Sequence, residues 1–398
     1  MKIEYRAPLN QAELDDSIQC SVRAFGGLEH LFTNIVKHDP WFHLDNTRAC
    51  FVDGQIVSVV QIFDRPMRIG NCVVRMGGIG SVGTVPEHRR AGYSLNVLRD
   101  SAQYMQAAGY VLSILFTGIQ SHYARAGWVM YPTYSMRLTL PESLGAVPDG
   151  AIIQQYQPEQ DLSALMKIYD QFNANQTGTI ARTAEYWDNQ PKWREYEPSL
   201  FWVARRDGAI VAYLKASQWD IGEFGYLPDA VGAMMGLFRH FFQKAKTEGA
   251  NEIGGPGLST GRKMFETLGC TVRRRESNHT MIRITNLESL LRKVSPLLEA
   301  RLKASDFSGW DGWVRIRYEA DERMLRIKNG KMTISQRNES PDIDLPVSQE
   351  QLLKLLFGNM TAEQVAFSNG LPLNESEVGL LDALFPPGEL FLWGTDGF

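Results

Sequence analysis

Arginine, glycine and small residues cluster at Arg89-Arg90-Ala91-Gly92-Tyr93-Ser94-Leu95, just before apolar residues take up helical spacing at Leu95, Leu98, Ala102 and Met105. A helix start carries unpaired N–H groups and a positive dipole end. Flanked by Arg89 and Arg90, it suits a diphosphate. The same turn would also suit arginines that simply face water. Tyr123, in Ser121-His122-Tyr123-Ala124-Arg125-Ala126-Gly127-Trp128, offers a phenol that can hand a proton to a leaving group. It could equally be a packed aromatic with a satisfied hydroxyl. His122 is adjacent, but neighbouring helix positions diverge, so it reads as a surface or supporting residue.

These groups need a scaffold. Gly78 to Val85 has the small and β-branched residues of an inner strand, and Pro86 ends it. Upstream, Ile3 to Tyr5 reads as a strand, and Gln11–Ala24 and Leu28–Val36 as helices. Ala49 to Val52 and Ile56 to Phe63 form a hairpin through Asp53-Gly54. Cys72 to Val85 and Tyr110 to Phe116 complete the strands on either side of the helix that stops at Gly109.

The strand–turn–helix stretch resembles motif A of the GCN5-related N-acetyltransferases (GNAT), whose phosphate loop reads Arg/Gln-x-x-Gly-x-Gly/Ala; Ser94 stands at the last position. The Tyr123 segment resembles the same family's Phe-Tyr-x-x-x-Gly-Phe. The resemblance implies acetyl-CoA as co-substrate. The backbone of Val82, Gly83 and Thr84 would hold pantetheine, and the turn from Arg89 and Arg90 through Ala91, Gly92, Tyr93 and Ser94 to Leu95 would hold diphosphate. Gly118 and Ile119 would line the thioester end. Backbone N–H groups near Thr84 and Val85 would steady the oxyanion.

After a Pro- and Gly-rich stretch from Pro141 to Gly150, the strand–turn–strand–helix order returns: Leu200–Ala204, Ala209–Leu214, Val231–Lys246. Aligned on Gly127 and Gly269, Phe265 falls opposite Tyr123, and the stretch before the second helix lacks an Arg-x-x-Gly turn. This reads as a degenerate copy with a structural role. From Asn286 a third region follows, with a helical leucine stripe, a hairpin at Asn329-Gly330 and a capping box at Ser348. Its order of elements resembles sterol-carrier-protein-2-like domains. The expected fold class is α/β (α+β): a catalytic GNAT domain over 1–145, a degenerate one over 146–286 and a carrier-like domain over 287–398.

The chain ends on apolar Gly388-Glu389-Leu390-Phe391-Leu392-Trp393-Gly394-Thr395-Asp396-Gly397-Phe398, where termini are ordinarily polar and frayed. The whole order resembles the Eis (enhanced intracellular survival) acetyltransferases. That resemblance implies Phe398, through its terminal carboxylate, as general base, Tyr123 as general acid, an aminoglycoside-like or other polyamine acceptor, and a hexamer. Glu29 and Asp396 are acidic candidates for the acceptor by position. A carboxylate near pKa ~3.5 takes a proton from an ammonium near ~10 only uphill, so desolvation or a water must help.

In a chain of 398 residues, 44% hydrophobic and 22% charged, two or three domains are expected. A net charge of −4 gives no nucleic-acid surface. Cys20, Cys50, Cys72 and Cys270 lack metal-type spacing and read as reduced thiols, so no metal is expected. No signal core or membrane-length apolar run is present, which places the protein in the cytoplasm. The alternative function is a lipid or acyl-CoA binder using the third domain.

Overall fold

The computed structural model describes residues 1–147, 150–194, 196–319, 321–335 and 340–398. The expected linker from Pro141 to Gly150 therefore falls partly outside the described residues. The chain begins β1 (Ile3–Arg6), α1 (Gln11–Phe25), α2 (Glu29–His38), β2 (Thr47–Val52), β3 (Gln55–Ile69), β4 (Cys72–Thr84), α3 (Tyr93–Ala107), β5 (Leu112–Phe116), α4 (Gln120–Ala124), β6 (Val129–Met130) and β7 (Thr133–Thr139). The Asn10 side chain caps α1 by accepting from the Glu13 N–H, and Gly26 ends it in the left-handed region. Asp53 and Gly54 both take positive φ, as a type I′ hairpin turn requires. β3 runs well past the expected Phe63. Residues 64–69 are polar enough to look like loop, yet their charges are paired: Arg75 with Asp64, Arg65 with Asp39, and Arg68 with Asp170.

The second stretch holds β8 (Ile152–Gln155), α5 (Pro158–Asn173), α6 (Ala184–Asn189), β9 (Phe201–Arg206), β10 (Ala209–Ser217), β11 (Asp220–Tyr226), α7 (Val231–Thr247), β12 (Glu252–Pro256), α8 (Ser259–Thr267), β13 (Thr271–Ser277) and β14 (Thr280–Ile284). Two seven-stranded sheets result, ordered β1-β2-β3-β4-β5-β14-β6 and β13-β7-β12-β11-β10-β9-β8. Each sheet takes one strand from the other stretch. β14 enters between β5 and β6, and β7 enters between β12 and β13. Both exchanged strands bury apolar side chains in their host: Met281, Ile282 and Ile284 in one case, Met136 and Leu138 in the other. Without its guest, each sheet would expose an inner edge.

The third stretch is α9 (Leu287–Lys303), β15 (Gly312–Tyr318), β16 (Asp321–Lys328), β17 (Lys331–Ser335), β18 (Ile343–Pro346), α10 (Gln349–Leu356), α11 (Ala362–Asn369) and α12 (Glu375–Leu384). Its four-stranded sheet runs β17-β16-β15-β18. The expected capping box at Ser348 is formed, and a second one opens α11 at Thr361. Leu290, Leu291, Val294 and Leu298 of α9 share one core with Met67, Ile69, Val74 and Met76 from the tip of the β3–β4 hairpin. The architecture is two α/β lobes of like strand–helix order followed by an α+β domain. The tail after α12 then returns: Leu390 bridges Thr177, and the Phe391 N–H donates to the Thr177 carbonyl at 2.8 Å.

Candidate active site

β4 and β5 pair in parallel only from Met76↔Leu112 to Ile79↔Leu115. Past Ile79 they part. Ser81 sits at φ 50, and the β3–β4 register slips between Val59 and Gln61, so β4 turns away from β5. The Val85 N–H donates to the Val57 carbonyl at 3.0 Å. Alternation along the strand then turns the amides of Val82 and Thr84 to the side that β5 has left. This corrects one expectation: the Val85 N–H is already engaged and is no oxyanion donor. Gly83 is needed for packing, because a Cβ there would lie 2.8 Å from the Ala24 Cβ at the end of α1.

Beyond the parted strands lies a cleft of ≈ 360 Å³ between α3 and α4, lined among others by Arg90, Ser94, Leu95, His122 and Arg125. Gly92, at φ 82, is the α3 N-cap and supplies no side-chain cap. The first N–H groups of α3, at Tyr93, Ser94 and Leu95, thus lack partners within the helix. Arg90 and Arg125 are exposed, and neither is ion-paired among the described residues. Arg89 behaves differently. Its guanidinium donates to the carbonyls of Ala24 at 2.9 Å and Thr84 at 3.2 Å, so it pins α1 to the end of β4. His122, set aside from sequence, faces the cleft with Nε2 3.3 Å from the Ser94 hydroxyl. Burial and the nearby Arg125 both lower its pKa, which favours the neutral ring. Arg90→Glu should raise KM for acetyl-CoA roughly tenfold or more with kcat nearly unchanged, read from initial rates against acetyl-CoA concentration.

At the other end of the opening, Tyr123 is buried in the first core. Burial raises the pKa of its phenol, while the nearby Thr117 side chain pulls the other way. Thr117 follows Phe116, the last residue of β5, whose ring centroid lies 5.4 Å from that of Phe398. Phe398 also stacks on Phe63 at 5.7 Å. A Cβ on Gly78 would lie 2.6 Å from the Phe398 ring, and one on Gly80 3.1 Å from its carboxyl carbon. Those two glycines make the seat for the chain end on β4. Tyr123 and Phe398 therefore flank the end of β5, one through Thr117 and the other through Phe116. Gly118 and Ile119, which follow Thr117 in the chain, are exposed.

The tail is held by a group that the sequence did not disclose. Arg182, buried, donates to Glu223 at 3.0 and 2.5 Å and to Asp396 at 2.9 Å from both Nε and Nη2. Tyr169 and Tyr186 donate to Asp396 at 3.3 and 3.2 Å, and Tyr213 donates to Glu223 at 2.9 Å. Arg182 holds the Glu223 carboxyl below its usual range against the opposing effect of burial. Asp396 is thus a fully enclosed anchor two residues from the terminus and cannot meet an acceptor. Glu29 accepts from Gln19 on the outer surface. Nothing in the spacing of Arg182, Glu223 and Asp396 marks them; only the apolar tail hinted that its end is fixed.

Residues 5–130 match the family model of the acetyltransferase (GNAT) domain. The first lobe is a GNAT acetyltransferase domain. The chain is accordingly an acyltransferase, and GNAT domains use acetyl-CoA. The parted strands, the uncapped helix start and the two unpaired arginines fit that co-substrate. No curated protein matches the chain. Among solved structures, the chain is similar over its full length to a probable N-acyltransferase of unknown function from Enterococcus faecalis V583 (TM-score 0.78, 16% identity, all of both chains covered). It is also similar to a GCN5-related N-acetyltransferase from Anabaena variabilis (TM-score 0.73, 15%, all of both chains). Eis1 from Mycobacterium abscessus matches at TM-score 0.67 and 17%, again over all of both chains. At these identities the likeness concerns the fold. The GNAT lobe's opening has a counterpart in the second lobe, where β11 pairs β12 only at Asp220↔Gly254. There Trp393 of the tail packs on Phe224 of β11 at 5.3 Å, and Phe265 of α8 lies fully buried against Phe238.

Proposed function

We propose that the protein moves the acetyl group of acetyl-CoA to a primary amine by direct attack in a ternary complex. The observation that carries this is the chain end itself, with Phe398 seated on β4 at the opening between β4 and β5. Arg90, Arg125 and the amides of Tyr93 to Leu95 hold the diphosphate, and the amides of Val82 and Thr84 hold pantetheine and steady the oxyanion. The terminal carboxylate of Phe398 takes a proton from the amine. As the C–N bond forms and the C–S bond breaks, Tyr123 delivers a proton to sulfur. Acetyl-CoA supplies the activated thioester. The resemblance to Eis proteins brings with it an aminoglycoside-like or polyamine acceptor and a hexamer, and the third lobe is read as sterol-carrier-like. The domain spans 1–145, 146–286 and 287–398 and a cytoplasmic location belong to the same proposal.

The test is thiol release from acetyl-CoA over a panel of amines, aminoglycosides and peptides. The protein's own four cysteines are buried, and burial pushes the Cys20 thiol up to about 12 and Cys270 up to about 11, so background is low. One glycine added after Phe398 should cut the rate by roughly a hundredfold or more, because it moves the carboxylate while leaving every side chain in place. Full activity in that variant would remove Phe398 from the mechanism, and silence across the whole panel would remove the enzyme reading. The lipid-binding alternative is less favoured: the third lobe's ≈ 460 Å³ cleft is lined mainly by charged groups, Arg317, Glu319, Asp321 and Glu322, with Pro346 and Val347 beside them.

A further inference from the structure

A cleft of ≈ 580 Å³, well within the range for small-molecule sites, opens where the ends of β7, β12 and β13 meet the tail. Leu392, Gly394 and Thr395 form its tail-side wall. Arg194 on the rim comes within 3.1 Å of where a Gly397 Cβ would be, beside the terminal residue. β13, which carries Arg275, leads straight into the turn that holds the thioester-end loop. There the His279 carbonyl accepts from the Thr117 N–H at 2.7 Å, and the Asn278 carbonyl accepts from Gln120 Nε2 at 2.9 Å. The tail therefore borders both the cleft and the β4–β5 opening, and β13 runs from the wall of the cleft to the turn that holds the Thr117 loop.

The charges around this cleft are one-sided. Arg137, Arg194, Lys215 and Arg275 line it, against Glu197 and Asp220. Among the described residues none of the three arginines forms an ion pair with a carboxylate, whereas elsewhere arginines do so in pairs such as Arg315–Asp344 and Arg48–Asp100. Burial raises the Asp220 pKa against the pull of Arg137, and burial also lowers the Lys215 ammonium to about 8, so the arginines carry the lasting charge. Lys215 is half-buried over the rings of Tyr196 and Phe201, and its neighbour Glu223 is already held by Arg182. A polycationic acceptor entering here would meet like charge. Guanidinium forks suit carboxylate and phosphate oxygens.

Resting on the acetyltransferase reading above, we infer that the acceptor is an anionic amine. Its carboxylate or phosphate sits among Arg137, Arg194 and Arg275 while its nitrogen reaches the thioester beside Phe398. This narrows the acceptor class and sets it against the polyamine that the resemblance brought.

Matched acceptors test it on the full chain. Thiol release is followed with 5-aminopentanoate, 3-aminopropyl phosphate and 1,5-diaminopentane, and glutarate binding is measured by calorimetry. All are repeated in Arg194→Met and Arg275→Met, whose exposed side chains carry no core packing. The inference expects kcat/KM for an anionic amine to exceed that for the diamine by about tenfold or more. Each substitution should erase most of that gap and weaken glutarate roughly tenfold. The ratio between the two anionic amines says whether carboxylate or phosphate is preferred. A diamine used as well or better overturns the inference, as does acetylation of amines with no glutarate binding; both leave the enzyme reading standing. Glutarate binding lost in the variants, with no thiol release from any amine, supports the anion site and overturns the enzyme reading instead. Neither binding nor release overturns both.

Discussion

Tyr123→Phe lowers kcat by roughly 10²–10³ while leaving KM for acetyl-CoA nearly unchanged. The departing sulfur, with a thiol pKa near ~8.5 in water, would otherwise leave as a bare thiolate in a partly desolvated site. The phenol suits the task because burial raises its pKa, so it stays protonated across the neutral range and the acid form is lost only in strong alkali. The substitution keeps the ring that packs in the first core and removes only the oxygen. Removing one hydroxyl of this kind costs about 1 kcal/mol of folding free energy, too little to unfold the chain. Initial rates and a thermal melt on the same sample separate the effects. An unchanged kcat with wild-type melting would show that sulfur leaves unaided or takes its proton from water.

Arg182→Met is expected to be the most disruptive single change, costing about 3–5 kcal/mol. It leaves Glu223 and Asp396, both side chains almost fully enclosed, without the cation between them. Two outcomes should appear together: a lowered melting temperature, and loss of amine acetylation comparable to that of the glycine extension, because Phe398 is no longer held on β4. Arg182→Lys should rescue little, since one ammonium cannot reproduce the fork that reaches both carboxylates. Adding Glu223→Gln and Asp396→Asn to Arg182→Met should recover stability, because no uncompensated charge then remains. A stable, fully active Arg182→Met chain would show that the tail is fixed by Phe391, Trp393 and Phe398 alone.

What could be read from sequence follows from range. The hairpin at Asp53-Gly54, the α3 start at Gly92 and the caps at Asn286 and Ser348 are set by residues a few positions apart, and they fold as expected. β3 past Phe63 was hidden because Asp64, Arg65 and Arg68 look like loop residues until their distant partners Arg75, Asp39 and Asp170 are in place. The turn at Arg89 and Arg90 was legible as a motif, yet which arginine faces the cleft was not: Arg89 is drawn to the carbonyl of Ala24, 65 residues away. The strand exchange is invisible to local pattern, since β7 and β14 alternate like any strand and carry no sign of the sheet they join. The Arg182 anchor joins residues more than 200 positions apart, beyond any periodicity.

The reciprocal placement of β7 and β14 has a consequence for how the chain comes off the ribosome. When the first 145 residues have emerged, β5 has no neighbour on its far side, and β7 has nowhere to dock. The first sheet closes only after β14 has been synthesised, by which time the second is nearly complete. The two lobes are spliced together rather than strung in a row, so a nick near the junction would leave both fragments clasped, each still threaded through the other's sheet.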